Sequence, residues 1–180
     1  EAAALAREAQ TIDSVLDTLF RRAVTAGKRV RTEVRLTGVS ATAAEVGVRR
    51  AQDFFGLLEG KRAVVIGNGA MGRLAASTLR KAGCAVTVTL RSYHHGETIV
   101  PAGCDTFPYD RRCEVLEGAD LAVSATTSPH FTLTAQQIAA LHQPPRLLLD
   151  LAMPRDIEPA AGEDARVALY NLDDLGGLDD

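Results

Sequence analysis

The chain has 180 residues, of which 46% are hydrophobic and 24% charged, and its formal net charge is −3. This balance excludes a disordered chain, and no apolar run approaches the roughly 20 residues of a membrane span. The three cysteines have no Cys-x-x-Cys spacing, which argues against a disulfide framework and a structural zinc site.

The first part of the chain is predicted to be helical. Apolar residues recur at three- and four-residue spacing from Ala2 to Ala26, and Gly27 is a predicted pause. A second helix is predicted over Ala41–Phe55, with Ser40 as its N-cap. The pattern of apolar residues changes at residues 58–61, where helical periodicity is replaced by short runs of apolar, β-branched residues. This change predicts a domain boundary.

An alternation of strands and helices follows the boundary. Strands are predicted at Arg62–Ile66, Ala85–Leu90, Thr106–Tyr109, Asp120–Ala125, Arg146–Leu151 and Val167–Tyr170, and helices at Ala70–Lys81, Asp110–Leu116 and Thr134–Leu141. Residues 92–105 are predicted as a loop or short hairpin. This order predicts an α/β fold, a doubly wound (Rossmann-like) parallel sheet with an N-terminal helical extension.

A glycine-rich motif follows the first predicted strand and opens a helix. It reads Gly67, Asn68, Gly69, Ala70, Met71, Gly72, a complete G-x-G-x-x-G. Gly67 permits the sharp turn, Gly69 leaves room for a pyrophosphate, and Gly72 lets the helix pack closely on the strand. The motif therefore predicts dinucleotide binding, and the alternative is a glycine-rich turn without a ligand.

The end of the second predicted strand selects the cofactor. An NAD site places an acid there for the ribose 2′-hydroxyl, whereas this chain has Arg91 and Ser92, a cation and a hydroxyl suited to a 2′-phosphate. These residues favour NADPH over NADH. The alternative is that Arg91 is a solvated charge at a strand end.

Two later segments are predicted to border the nicotinamide half of the cofactor, because they end strands at the same sheet edge. The first contains small residues, Ala125, Thr126, Thr127 and Ser128. The second contains Leu151, Ala152 and Pro154. For the first segment the alternative is a simple polar turn. For the second, the alternative is that Arg155 pairs with a neighbouring acid and the segment is structural.

The sequence offers no catalytic residue and no metal site. The four histidines are too scattered for a ligand set, and no cysteine has a committed base beside it. The chain is therefore interpreted as a cofactor-binding domain without a catalytic centre of its own.

Nearly the whole chain resembles the glutamyl-tRNA reductase family. Ser124–His130 is similar to its Ser-(Ser/Ala)-Thr-x-Ser-Pro-His segment, and Asp150–Pro159 to its Asp-(Ile/Leu)-Ala-x-Pro-Arg-Asp-Ile-x-Pro segment. Leu19–Ala23 together with Gly27–Glu33 resembles the stretch that leads out of the family's catalytic domain, and Leu169–Leu175 resembles the start of its dimerisation helix. Two rival interpretations are the cofactor domain of a shikimate-type dehydrogenase, and a non-catalytic dinucleotide-binding regulatory module.

The resemblance implies a cytoplasmic oxidoreductase of tetrapyrrole (porphyrin) biosynthesis. Such an enzyme reduces glutamyl-tRNA with NADPH, through a cysteine thioester, to glutamate-1-semialdehyde. Residues 1–57 would be a helical extension from a missing catalytic domain, residues 58–175 the NADP-binding domain, and residues 176–180 the start of a missing dimerisation region. The fragment would be inactive alone, and the full enzyme would be a homodimer.

One departure from the family concerns the adenine side of the site. The family has an Asn-Arg-(Thr/Ser) triplet followed by a helix, whereas this chain has Leu90, Arg91 and Ser92 followed by a predicted loop. Tyr93 is predicted to stack there instead. The basic run from Arg21 to Arg35 would, by the same resemblance, lie near the tRNA. We favour a solvated helix face over direct phosphate contact for this run.

Overall fold

The computed structural model describes residues 13–33, 37–91 and 99–176, which fall into two compact units, Glu1–Val39 and Ser40–Asp180. In the first unit, helix α1 spans Ser14–Glu33. Asp13 caps it by accepting a hydrogen bond from the Leu16 amide at 2.7 Å. The helix continues through Gly27, so the predicted pause there is wrong, since one glycine costs a helix only about 1 kcal/mol.

One long helix follows α1, and strands and shorter helices come after it. They are α2 (Thr37–Phe55), β1 (Arg62–Ile66), α3 (Ala70–Lys81), β2 (Ala85–Leu90), β3 (Asp105–Pro108), α4 (Arg112–Leu116), β4 (Leu121–Ser124), α5 (Ala135–Ala139), β5 (Leu147–Asp150), β6 (Ala168–Asn171) and α6 (Leu172–Gly176). Short 3-10 turns lie at Tyr109–Arg111 and Pro159–Glu163. Because α2 begins at Thr37, Ser40 lies inside the helix and the predicted cap there is wrong.

The strands form one parallel, six-stranded sheet in the order β3-β2-β1-β4-β5-β6. This is the strand order of the doubly wound dinucleotide-binding fold, and it confirms the predicted fold class. The direction in which successive strands are added reverses between β1 and β4, at the centre of the sheet. Ligands of such sheets bind in the crevice that this switch opens at the carboxyl ends of the strands.

Both faces of the sheet are covered. In β1, Val65 packs into a core with α2 and α3 residues, whereas Val64 and Ile66 point to a second core that includes Ile138 and Ile157. Alternating side chains of a strand point to opposite faces of the sheet. Because both faces of β1 are buried, almost every residue of this strand is apolar, as its sequence shows. These two cores fix the strand ends that position the site.

The remaining predicted elements are present with shifted ends. Thr134 is the N-cap of α5 and forms a capping box with Gln137, as its position before a helical pattern predicted. Residues 92–98, half of the predicted loop, lie outside the described residues. In the part that the structure describes, no helix combines the length and the hydropathy that crossing a bilayer requires.

Candidate dinucleotide-binding site

A cleft of about 530 Å³ opens at the carboxyl ends of β1, β2 and β4. Its described lining residues are Gly67, Asn68, Gly69, Arg73, Thr89, Leu90, Arg91, Ile99, Tyr109, Ala125, Thr126, Thr127, Ser128 and Pro129. They include two arginines and no acid. The cleft is therefore suited to an anionic ligand.

The first half of the glycine loop (Gly67–Gly72), Gly67–Gly69, lines the cleft. Gly67 has a φ of +101°, and a Cβ there would lie 2.7 Å from the Ala125 carbonyl oxygen. A Cβ on Gly72 would collide with the Gly67 carbonyl oxygen, whereas one on Gly69 would have no atom of the described residues within 4 Å. Gly67 and Gly72 thus permit close packing. Gly69 leaves open space before the first turn of α3, where backbone amides suit a phosphate.

Two buried polar atoms at the cleft lack a protein partner among the described residues. Asn68 donates through Nδ2 to the Ile99 carbonyl at 2.9 Å, but its Oδ1 is buried without a hydrogen bond. The hydroxyl of Thr89, which is 1% exposed, is also unsatisfied. Buried polar atoms are normally hydrogen-bonded, so these two are suited to a ligand that carries hydroxyl or phosphate groups.

Arginines on two sides give the cleft its positive charge. Arg91 follows β2, and its guanidinium lies over the Tyr109 ring at 4.4 Å from the centroid. Arg112 lies over the same ring at 4.5 Å, so two cations contact one aromatic side chain. Arg73, on the first turns of α3, donates to the Asn68 carbonyl at 3.1 Å.

A buried carboxylate shapes the segment after β5. Asp150 is fully buried, and its carboxylate accepts hydrogen bonds from the amides of Ala152 at 3.1 Å, Asp156 at 3.0 Å and Ile157 at 2.9 Å. Desolvation by burial raises the pKa of Asp150, although the three amide donors oppose this shift. The side chain therefore holds residues 150–157 in a tight turn whose peptide bond between Met153 and Pro154 is cis.

The turn is connected to the segment after β4. Asp156, also fully buried, accepts hydrogen bonds from Ser124 and from both the amide and the hydroxyl of Thr126. Arg155, considered in the alternative interpretation, has an Nε that is buried without a partner among the described residues. The described hydrogen bonds to the carboxylates of Asp150 and Asp156 thus come from backbone amides and hydroxyls.

The structure brings about half of the predicted site residues into the cleft. Those that line it are Gly67, Asn68, Gly69, Arg91, Ala125, Thr126, Thr127 and Ser128. Those that do not are Ala70, Met71, Gly72, Leu151, Ala152 and Pro154. Ser92 and Tyr93 lie outside the described residues.

Sequence reasoning missed several lining residues. Thr89 and Leu90 read as ordinary strand residues, although their position beside Arg91 placed them at the same strand end. Arg73 directly follows the last glycine of the motif, and that adjacency was a usable signal. Tyr109 reaches the cleft from the end of β3, and no local pattern pointed to it.

The fold, the glycine loop and the positively charged cleft together define a dinucleotide-binding domain, of the kind that takes a nicotinamide cofactor in oxidoreductases. Residues 49–178 match the family model described as Shikimate / quinate 5-dehydrogenase, and the chain belongs to this family.

Individual relatives confirm the resemblance to glutamyl-tRNA reductases. The chain is 48% identical over 172 residues to a probable multifunctional siroheme biosynthesis protein HemA from Ruminiclostridium josui, covering 96% of this chain and 33% of the relative. It is 42% identical over 171 residues to a glutamyl-tRNA reductase from Acetivibrio thermocellus, covering 95% of this chain and 50% of that protein. The chain thus spans half or less of the length of these two relatives.

Solved structures agree with this placement. A glutamyl-tRNA reductase from Methanopyrus kandleri matches with a TM-score of 0.65 at 31% identity, covering 94% of this chain and 44% of that chain. A dipicolinate synthase from Bacillus halodurans matches with a TM-score of 0.62 at 21% identity, covering 73% of this chain and 45% of that chain, which supports the fold alone.

Proposed function

We propose that this chain is the NADPH-binding domain of a glutamyl-tRNA reductase acting in tetrapyrrole biosynthesis. The observation that carries the proposal is a cleft lined by the glycine loop and two arginines, in a chain whose relatives bear that enzyme's name. The cofactor would supply a hydride, which reduces a thioester of glutamate formed on another domain. The residues of this chain bind and orient the cofactor.

We propose that each part of the cofactor lies against a different wall of the cleft. Gly69 and the first amides of α3 would hold the pyrophosphate, because that position offers open space and free N–H groups. Arg91 would bind the 2′-phosphate, with Ser92 and Tyr93 beside it. Thr126 and its neighbours would border the nicotinamide half, and Leu151, Ala152 and Pro154 would support them from the adjacent segment.

The preference for NADPH over NADH rests on charge at the end of β2. An arginine there offers a fork of N–H donors to a phosphate, whereas a ribose 2′-hydroxyl calls for an acid. The described lining of the cleft holds no acid. Arg91, held over Tyr109, is therefore the residue that we assign to the 2′-phosphate.

The proposed function also requires a catalytic domain and a dimerisation region in the complete enzyme. Residues 1–57 would connect the domain to a catalytic domain, residues 58–175 would bind the cofactor, and residues 176–180 would lead into a dimerisation region of a homodimer. Glutamyl-tRNA would be the substrate of the complete, cytoplasmic enzyme. We expect no turnover by these 180 residues alone, because none of their cysteines matches the nucleophile of the family.

A second candidate is the cofactor domain of a shikimate-type dehydrogenase, which the matching family description favours. Both candidates would bind a nicotinamide dinucleotide at the same glycine loop, so cofactor binding does not separate them. A complementation test separates the two candidates. In this test, the domain replaces its counterpart within a complete glutamyl-tRNA reductase and, separately, within a complete shikimate dehydrogenase. Restored semialdehyde formation supports our proposal, and restored shikimate oxidation alone would favour the second candidate.

Calorimetric titration of the chain with NADPH and with NADH tests the cofactor assignment. We expect Arg91→Ala to weaken NADPH binding by about 1.5–3 kcal/mol, the loss typical of a hydrogen bond to a charged group, and to leave NADH binding almost unchanged.

Arg111→Ala is the matched control for this variant. Arg111 is exposed, pairs with Glu114 and does not line the cleft, so its removal should change neither affinity. If Arg91→Ala lost equal affinity for both cofactors, Arg91 would not be a ligand of the 2′-phosphate. Absence of NADPH binding by the unaltered chain would contradict the cofactor assignment itself.

A further inference from the structure

Asp156 lies next to the cleft wall without lining the cleft. It follows β5, is fully buried, and directs its carboxylate at the segment that follows β4. Oδ2 accepts hydrogen bonds from the Ser124 hydroxyl at 2.8 Å and the Thr126 amide at 2.7 Å. Oδ1 accepts the Thr126 hydroxyl at 2.6 Å. One carboxylate therefore fixes Thr126 through two bonds.

The hydrogen-bonding pattern continues from Thr126 into the cleft wall. The Thr126 hydroxyl donates to Asp156 and accepts the amide of Ser128 at 3.1 Å. Its Cγ2 lies 2.9 Å from the position that a Cβ on Gly67 would take. Thr126 is thus held between the buried carboxylate and the glycine loop, and the conformation of the lining residues through Ser128 depends on it.

Asp156 is itself held rigidly. Its amide donates to Asp150 at 3.0 Å, and its carbonyl oxygen accepts the amide of Thr132 at 2.6 Å. The donors to its carboxylate are hydroxyls and an amide, all of them neutral. A buried carboxylate without a cation costs free energy, so a turn needed only for folding would be better served by neutral groups. The cost points to a requirement for rigidity at the cleft.

We propose that Asp156 is a positioning residue for the nicotinamide half of the cofactor, which acts by holding Thr126–Ser128 against the glycine loop. This inference rests on the proposed function and extends it, because it assigns cofactor orientation to a residue outside the cleft. The adenine half would meet Arg91 and Tyr109, on a different wall that Asp156 does not contact. Loss of Asp156 should therefore affect one half of the ligand and spare the other.

Two probes separate the halves: NADPH, and adenosine 2′,5′-bisphosphate, which lacks the nicotinamide. We expect Asp156→Asn to weaken NADPH binding at least tenfold in calorimetry and to change bisphosphate binding less than twofold. An amide has the size of the carboxylate, but it cannot accept from three donors through two oxygens.

Thr126→Val provides a second variant if Asp156→Asn does not fold. It keeps the methyl group beside Gly67 and removes only the hydroxyl, so the same selective loss of NADPH binding is expected. Thr78→Val is the matched control: it removes a threonine hydroxyl that donates to the Leu74 carbonyl within α3, from a residue that does not line the cleft, and it should leave both affinities unchanged.

The outcomes distinguish this inference from the proposed function. Equal losses for both probes in Thr126→Val, or no loss in a folded Asp156→Asn, would overturn the positioning role while NADPH binding by the unaltered chain still supported the proposed function. Failure of the unaltered chain to bind NADPH would overturn both.

Discussion

The glycine loop after β1 and the acid-held segments after β4 and β5 (residues 124–128 and 150–157) border one cleft by opposite means. In the glycine loop, the backbone reaches its shape because side chains are absent, at Gly67 and Gly72 above all. In the acid-held segments, two buried carboxylates gather backbone amides and hydroxyls around themselves. The glycine loop thus depends on the absence of side chains, and the acid-held segments depend on buried acids as hydrogen-bond acceptors.

The difference predicts how each region fails. A side chain added to the glycine loop creates a steric conflict that no solvent can relieve. A carboxylate removed from the other region leaves several buried donors unsatisfied, which costs more than the bonds themselves contributed. The turn held by Asp150, whose pKa is raised by burial, should respond to pH, whereas the glycine loop should not.

The largest effect is expected for Asp150→Ala. Its three amide donors lose their acceptor in a buried turn, so we expect the free energy of unfolding to fall by about 3–5 kcal/mol. Urea titration measures the loss. Asp164→Ala is the control, because that carboxylate pairs with Arg166 at the surface and its loss should change stability far less.

The dependence of this cost on pH identifies its origin. Burial raises the pKa of Asp150 above its ordinary value of 3.8, so the unfolded chain ionises before the folded one does. As pH rises from 3.8 through the folded pKa, the unaltered chain loses stability relative to Asp150→Ala, and the cost of the mutation shrinks. Arg166 lowers the pKa of Asp164 to about 2, so its contribution is instead lost as pH falls from 3.8. A pH-independent cost would contradict a titrating, buried Asp150.

A smaller effect is expected for Gly67→Ala. The positive φ and the approach of the Ala125 carbonyl to 2.7 Å predict a loss of about 1–3 kcal/mol in the free energy of unfolding, at every pH. Gly69→Ala is its matched partner. A Cβ there meets no atom within 4 Å in the part of the chain that the structure describes, so stability should be retained while NADPH affinity falls. Equal stability losses in the two variants would contradict the distinction between Gly67, which the fold requires, and Gly69, which leaves space for the ligand.

The same contrast explains what the sequence could predict. The glycine loop is a local pattern, because each glycine answers a constraint set by residues a few positions away or by the adjoining strand. The alternation of buried strands with helices predicted a doubly wound parallel sheet, and the structure confirms that fold class. The helix caps show the limit of local signals, since Ser40 proved to lie inside a helix and Thr134 capped one.

The acid-held segments could not be predicted in the same way. Asp156 bonds to Thr126, 30 positions earlier in the chain, and no periodicity links the two. Sequence reasoning considered Arg155 because a cation beside acids suggests an ion pair. The fold instead turns the neighbouring acids towards backbone donors. Tyr109 reaches Arg91 in the same long-range manner, because β3 pairs with β2 only once the sheet has formed.

Tyr109 extends the comparison to the adenine wall, where the smallest effect is expected. A cation over an aromatic ring contributes about 0.5–1 kcal/mol at an exposed site, so Tyr109→Leu should weaken NADPH binding by that amount and leave NADH binding unchanged. Tyr109→Phe keeps the ring and should keep the affinity. Phe107→Leu, in β3 and under Arg111 rather than Arg91, is the control. If Tyr109→Leu weakened both cofactors equally, the ring would be contacting the shared part of the ligand, and the adenine wall would depend on direct contact rather than on an arginine held in place.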